Sequence, residues 1–221
     1  MATETPLGEV ILKEVYLSFA DIFKPGKPQK NDDGEMVPGK FKANLLIPKK
    51  GQEDYKPGVH DANLAKLKAA SEQVKTDKWG KPEKWPKLKA DRVFLRDGDQ
   101  EDWDGYEGRY YVSANNQNQP VLVDRKKDAK GKWIELTATN GGPKKLYAGA
   151  VVNAIVRIWA QDNQHGKRLN ASLESVQFVR DGEAFSGAKP VDPNEKFDDM
   201  EDEDEDNETY GGDDEDDSGL V

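Results

Sequence analysis

An abrupt change in charge near residue 191 limits how much of this 221-residue chain can fold. Residues 192–221 contain 16 Asp or Glu and one Lys, whereas residues 1–191 contain 27 acidic and 32 basic side chains. A segment so rich in carboxylates repels itself and has few apolar side chains to bury, so it should stay disordered. We therefore predict one folded domain over residues 1–191 and a disordered acidic C-terminal tail over residues 192–221.

The overall charge of −10 conceals a basic domain, because the tail carries a net −15 and residues 1–191 a net +5. A basic domain attracts polyanions, and an acidic tail on the same chain can compete for the same surface. Nucleic acid is therefore the first class of partner to consider.

Several classes of protein are excluded by composition. The chain has no Cys, which excludes disulfides, thiolate zinc ligands and thiol nucleophiles, and its two His are too few for a His-based metal or catalytic site. No apolar run approaches the roughly 18 residues of a membrane span, and the N-terminus lacks the pattern of a signal peptide. We predict a cytoplasmic protein, in the host cytoplasm if viral, without metal or cofactor.

Strand patterns dominate the domain. Residues 40–47 alternate between mostly polar and apolar side chains, which is the period of a half-buried strand. Further strands are expected over residues 10–23, 92–95, 108–115, 119–124, 133–137, 145–160 and 169–180. Hairpin turns are expected at 115–118 and 162–166, and a long mobile loop at 24–39.

One helix interrupts the strands. Asp61 is a candidate N-cap, Leu64, Leu67 and Val74 fall near one helical face, and residues 79–86 end the helix with Trp, Gly and Pro. Many short strands with a single helix indicate a mainly β, OB-fold-like antiparallel barrel.

Motifs for catalysis are weak. The chain has no phosphate-binding glycine loop, no nucleophile elbow and no HExxH motif. Clustered carboxylates, here at residues 97, 99, 101, 102 and 104, can hold two magnesium ions for phosphodiester hydrolysis, but acidic loops are more often simply solvated. We predict no enzymatic activity and retain a metal-dependent nuclease as a third hypothesis.

Basic and aromatic side chains interleave on the strands, as binding to single-stranded nucleic acid requires. Arg157 and Trp159 share one strand face, and the opposite face, residues 152, 154, 156 and 158, is purely apolar and suited to the core. The predicted DNA-binding residues are Lys40, Lys42, Arg109, Tyr111, Lys145, Tyr147, Arg157, Trp159, Lys167 and Arg168. Trp79, Trp85 and Trp103 either contact DNA or pack, and the sequence does not decide between the two.

The order of several segments resembles tailed-phage single-stranded-DNA-binding proteins. The segments that carry the resemblance are residues 15–23, 41–48, 95–99, 108–114 and 173–183, together with the acidic tail. The resemblance implies an OB-fold, binding to single-stranded DNA without sequence preference, and roles in phage replication, recombination and repair. It also implies that Trp159, on the penultimate long strand, stacks on bases.

Two partners follow from this hypothesis: single-stranded DNA, with duplex DNA left open, and replication or recombination proteins recruited by the tail. The family's tail typically ends in an aromatic residue, whereas this chain ends in Leu220 and Val221. The alternative is a histone-chaperone-like or DNA-mimic protein, whose acidic tail binds basic partners. The sequence does not give the oligomeric state, and a homodimer is one candidate.

Overall fold

The computed structural model describes residues 6–30 and 34–185, and these residues form one curved sheet of eight strands. The predicted boundary at residue 191 and the acidic tail lie outside the described residues. The sheet strands are β1 (Glu9–Asp21), β4 (Phe41–Pro48), β5 (Leu95–Asp97), β6 (Arg109–Asn116), β7 (Val121–Lys127), β8 (Trp133–Glu135), β9 (Val151–Asn163) and β10 (Gly166–Arg180). The ribbon β2 (Gln29–Lys30) and β3 (Met36–Val37) lies in the loop predicted at 24–39.

The sheet closes into a barrel. Its strand order is β5-β6-β4-β1-β9-β10-β7-β8, and β10 reaches β6, where the Asn116 side-chain amide donates to the carbonyl of Leu173 at 3.1 Å. The inward faces form one apolar core that includes Leu12, Leu45 and Val156, each fully buried. The predicted mainly β, OB-fold-like architecture is therefore confirmed.

One pair of strands departs from the antiparallel prediction. β7 runs parallel to β10, with Val121 opposite Ser175 and Val123 opposite Gln177. Residues 115–118 therefore do not form the predicted hairpin turn, because the chain leaves β6 and crosses to the edge of β10 instead. The polar run was consistent with a turn, but it does not encode which strand the chain joins next.

The helix α1 (Ala62–Trp79) packs against β1 and β9 through the predicted face, with Leu67, Ala70 and Val74 buried. Asp61 does not cap it, so that prediction is wrong. A π-helical turn, Pro57–Asp61, leads directly into α1, which leaves Asp61 with helical backbone angles, and its carboxylate accepts from the Tyr55 hydroxyl at 2.6 Å. In the described part of the chain, no helix has the length and apolar character to cross a bilayer.

Two of the undecided tryptophans pack. The indole nitrogen of Trp79 donates to Asp162 at 3.0 Å, and that of Trp85 donates to the carbonyl of Gly80 at 2.9 Å. Trp79 is buried in the core, and Trp85 lies half-buried against it beneath Lys75. Both rings secure the C-terminal end of α1 to the barrel.

Candidate nucleic-acid interface

A groove runs over the outer face of β1, β4 and β6. Register places Asn44 beside Ser113 and Lys42 beside Asn115, so these four polar side chains share one outward surface. The groove encloses about 550 Å³. Its walls are Phe19 of β1, Trp103 of the 98–108 segment, and the β1–β4 loop with Lys27, Val37, Pro38 and Lys40.

Two exposed aromatic rings meet at this groove. Phe19 is 51% exposed and Trp103 is 43% exposed, and their ring centroids lie 5.1 Å apart in an edge-to-face arrangement. Trp103 also packs on Tyr106 with centroids 5.0 Å apart, which fixes its position from below. Large aromatic rings left in solvent on a rigid support are suited to stacking on flat ligands.

The backbone at Phe19 is strained. Its φ is +44°, a left-handed conformation that is uncommon for any residue other than glycine, and it lies at a β-bulge between Ser18 and Asp21. The neighbouring Leu17 and Ser18 are buried, whereas Phe19 turns outward. Strain of this kind costs about 1–3 kcal/mol and often marks a functional position.

The loop wall is held close by glycines. The amide of Gly26 donates to the carbonyl of Lys40 at 2.9 Å, and a side chain at Gly39 would lie 1.7 Å from the carbonyl oxygen of Gly26. No other residue type fits at Gly39 without moving the loop. The close approach places Lys27 and Lys40 beside Lys42 along one wall of the groove.

A second apolar cluster supports the groove floor, and it contains Tyr16, Leu46, Tyr106, Tyr111 and Val151. The amide of Asn44, on the floor, donates to the Tyr106 hydroxyl at 2.7 Å, which joins the floor to this cluster. Burial raises the pKa of Tyr106, so its hydroxyl stays protonated across the neutral range.

Tyr111 and Arg109 belong to this support rather than to an exposed surface. The Tyr111 ring is 1% exposed, and burial together with its hydrogen bond to Glu101 raises its pKa to about 12. The Arg109 guanidinium forms a 2.8 Å ion pair with Asp54 and lies over the Tyr16 ring. A fully covered ring offers no face to a base, and Arg109 is held by Asp54 beneath the same segment, so neither residue lines the exposed groove.

Arg157 and Trp159 lie on the outer face of β9, as the sequence predicts, with Trp159 42% exposed and residues 152, 154, 156 and 158 buried inside. The Trp159 indole donates to the Ser172 hydroxyl at 3.1 Å, and Arg157 pairs with Glu174 at 3.7 Å. Arg168 shares the outward face of β10 with Ser172.

This patch borders the groove on the side where the barrel closes and β10 contacts β6. Lys42 lies opposite Asn115, Asn116 bonds to Leu173, and Ser172 lies opposite Arg157. Lys42 and Arg157 are therefore separated by β6 and β10 on the side where the barrel closes. The structure brings together five of the predicted residues on one outer surface: Lys40, Lys42, Arg157, Trp159 and Arg168.

The other predicted residues lie elsewhere. Lys145 belongs to a short helix, α2 (Gly142–Lys145), and pairs with the buried Asp124, so the predicted strand begins at Val151 instead. Tyr147 is 6% exposed, and its hydroxyl donates to the carbonyl of Gly182 at 2.9 Å. Lys167 pairs with Asp162 on the opposite face of the β9–β10 hairpin. Tyr147 therefore offers no exposed ring face, and Lys145 and Lys167 do not line the groove.

Residues 8–208 match the family model described as "Enterobacter phage Enc34, ssDNA-binding protein". This chain belongs to that family. The resemblance to phage single-stranded-DNA-binding proteins predicted from the sequence is thereby confirmed, and the family consists of DNA-binding proteins rather than enzymes.

Two relatives extend this finding. Protein p50 of Acyrthosiphon pisum secondary endosymbiont phage 1 is 36% identical over 197 residues, which cover 87% of this chain and 94% of that protein. The single-stranded-DNA-binding protein of bacteriophage Enc34, solved in complex with ssDNA, is 26% identical with a TM-score of 0.62, covering 81% of this chain and 90% of that one. A C-terminal truncation of the Enc34 protein is 27% identical with a TM-score of 0.62, and the match covers 80% of this chain and 88% of the truncated one.

The carboxylates considered for a nuclease have other partners in this family member. The Lys49 ammonium forms ion pairs with both Asp97 and Asp99, and its nitrogen lies 2.7 Å from the Asp99 carboxylate. The Glu101 carboxylate accepts a hydrogen bond from the Tyr111 hydroxyl at 2.5 Å. Within residues 6–30 and 34–185, no three acidic or His side chains converge as a metal site would require. The cluster instead fixes the segment that carries Trp103.

Sequence reasoning missed two features of the groove. Phe19 stood inside a strand pattern that predicts packing, and only its bulge turns it outward. Lys27 lies in a loop whose sequence gives no direction for its side chain. Trp103 was left undecided because an Asp-rich segment has no periodicity from which to assign a face.

Proposed function

We propose that this chain binds single-stranded DNA without sequence preference, with the strand crossing the barrel from Phe19 and Trp103 to Trp159. The observation that supports this most strongly is the pairing of two exposed rings with three lysines in one groove. Bases stack on aromatic faces with about 1–3 kcal/mol each, whatever their identity, while lysines follow the phosphates. The Enc34 relative solved with ssDNA supports the same ligand.

Sequence tolerance follows from the chemistry of the surface. The proposed contacts to bases are ring faces, and every base has such a face. The polar floor, Asn44, Ser113 and Asn115, offers small hydrogen-bonding groups that adapt to different base edges. Lys27, Lys40, Lys42 and Arg168 supply about four positions for phosphates, which act through charge and carry no sequence information.

The direct test is a titration of the full chain with oligo-dT and with a mixed-sequence oligonucleotide, followed by tryptophan fluorescence. We expect quenching at low salt by both, and a slope of log K against log salt of about −3 from four phosphate contacts at about 0.7 each. Lys40→Gln with Lys42→Gln should reduce that slope by about 1.4, whereas Lys66→Gln with Lys68→Gln, on α1, should leave it unchanged. Absence of quenching would refute the proposal.

The biological role that fits such binding is protection of exposed single strands during phage replication, recombination and repair in the host cytoplasm. Duplex DNA is a secondary ligand on the same lysines, since phosphate attraction does not depend on strandedness. We place this activity in residues 1–191.

We further propose that residues 192–221 compete with DNA for the basic groove and recruit replication or recombination proteins. The support is the charge of the segment, 16 acidic residues and one lysine, on the same chain as a basic surface. Deleting residues 192–221 should tighten oligo-dT binding at low salt, and the difference from the full chain should shrink as salt rises, because screening weakens the competitor. Equal affinities of the two chains at low salt would contradict the competition.

A further inference from the structure

The β7–β8 hairpin forms a basic arm outside the groove. Residues 125–133 contain five basic side chains and one acidic one, and every residue from 125 to 135 is exposed. β7 pairs with β10 only through residues 121–123, and Arg125 still donates from its guanidinium to the carbonyl of Val179 at 3.3 Å, so the arm leaves the barrel after Arg125. The seven residues of β7, Val121–Lys127, span about 20 Å.

The turn of the arm is well organised. The Asp128 carboxylate accepts from the amides of Lys130 and Lys132 at 2.8 and 2.9 Å, and the Asp128 amide donates to the carbonyl of Lys132 at 2.7 Å. The single acid of residues 125–133 is thus engaged by the backbone. Its lysine side chains, Lys126, Lys127, Lys130 and Lys132, have no ion-pair partner among residues 6–30 and 34–185.

An aromatic ring stands among these charges. Trp133 is 48% exposed, lies directly opposite Lys127, and has that ammonium 4.6 Å from its ring centroid. The barrel core does not include it. An exposed indole beside unpaired lysines combines a stacking surface with phosphate-binding charge, which is the combination that single-stranded nucleic acid selects.

The base of the arm lies next to one end of the groove. The Gln119 side-chain amide donates to the carbonyl of Ile22 at 3.3 Å, and Gly142, after β8, packs against the Phe23 ring. Both contacts fall at the start of the loop that carries Lys27 along the groove wall. The base of the arm is therefore joined to the segment that leads into the groove wall.

We propose that the β7–β8 arm is a second contact for single-stranded DNA, with Trp133 stacking on a base and the lysines binding phosphates beyond the groove. This rests on the proposed function of the groove. The acidic segment 192–221 is the competing occupant, since it has complementary charge. DNA is favoured because the segment has only two aromatic side chains, Phe197 and Tyr210, whereas every nucleotide presents a flat ring to Trp133.

Oligonucleotide length separates the two contacts. An oligo-dT of about 8 nucleotides fits within the range for a single OB barrel, whereas one of about 30 nucleotides extends past it. In the full chain, Trp133→Ala should weaken binding of the long oligonucleotide about 5-fold or more and leave the short one unchanged. Lys130→Gln with Lys132→Gln should reduce the salt slope by about 1.4 for the long oligonucleotide alone.

Lys66→Gln with Lys68→Gln on α1 is the matched control, because it removes two exposed charges away from the arm. If the arm variants weaken binding of the short and the long oligonucleotide equally, the arm binds the acidic segment rather than DNA. That result would overturn the proposal. No effect of either variant at either length, with short-oligonucleotide binding intact, would overturn it too. Failure of the unmodified chain to bind the short oligonucleotide would refute the groove and this extension together.

Discussion

Replacing Phe19 and Trp103 together with alanine should weaken oligo-dT binding by about 2 kcal/mol or more, roughly 30-fold at 25 °C. Each ring is about half-exposed and stands at the groove, so the variant loses two stacking surfaces and leaves the lysines in place. The two losses need not add, because the rings touch each other at 5.1 Å between centroids. Fluorescence anisotropy of labelled oligo-dT measures the change in affinity.

The control must separate stacking from support, because Trp103 also packs on Tyr106. Trp103→Leu keeps an apolar side chain against Tyr106 but removes the flat ring. We expect Trp103→Leu to unfold close to the unmodified chain in urea and still to bind oligo-dT about 5-fold or more weakly. Unchanged affinity of the folded double variant would rule out stacking at this site.

Removing the Asp54 carboxylate should produce the largest loss of stability among the polar substitutions considered. Asp54→Ala leaves the Arg109 guanidinium over Tyr16 without its ion-pair partner, in a setting where its Nε already lacks a hydrogen bond within the described residues. Breaking a buried pair costs about 3–5 kcal/mol, and since both side chains remain about one-fifth exposed we expect about 2–3 kcal/mol. Urea unfolding at neutral pH measures this difference.

The same pair predicts a dependence on pH. Burial opposes ionisation of Asp54, but hydrogen bonds from Arg109 and Tyr16 outweigh it and lower the pKa of the carboxyl. A lowered pKa stabilises the fold at pH above the unfolded value of about 3.9, and this contribution is lost as pH falls through the folded pKa. The difference in the free energy of unfolding between the unmodified chain and Asp54→Ala should therefore become smaller at acidic pH.

Asp77→Ala is the matched control, since Asp77 is exposed on α1. It should change the free energy of unfolding by less than about 0.5 kcal/mol at any of these pH values. If the loss in the free energy of unfolding caused by Asp54→Ala stays constant from neutral pH to below the pKa of Asp in the unfolded chain, the loss comes from packing and not from the charge.

Much of the barrel is encoded in local patterns. Alternation along 40–47 and 151–160 correctly indicates which faces of β4 and β9 are buried, because one face of a barrel strand must be apolar. The parallel pairing of β7 with β10 depends on where the chain goes after residue 116, and no local period records that. Asp61 failed as a cap because the chain enters α1 through a π-helical turn.

The binding surface was predicted less completely. Trp159 and Arg157 were assigned to the outer face because a strand with one purely apolar face leaves no ambiguity. Tyr111 also lies on an outer face, but residues 98–108 and Tyr16 cover that face. The periodicity of a strand does not indicate whether another segment covers it. Phe19 faces outward only because of a bulge and a positive φ, which its apolar neighbours do not signal.

Ultraviolet cross-linking of oligo-dT to the full chain, followed by mass spectrometry of the peptides, maps the bound strand most directly. We expect adducts on the peptides that contain Phe19, Trp103 and Trp159, because bases stacked on these rings lie in van der Waals contact with them. Adducts confined to α1 or to other surfaces outside the groove, with these three peptides unmodified, would contradict the proposed path across the barrel.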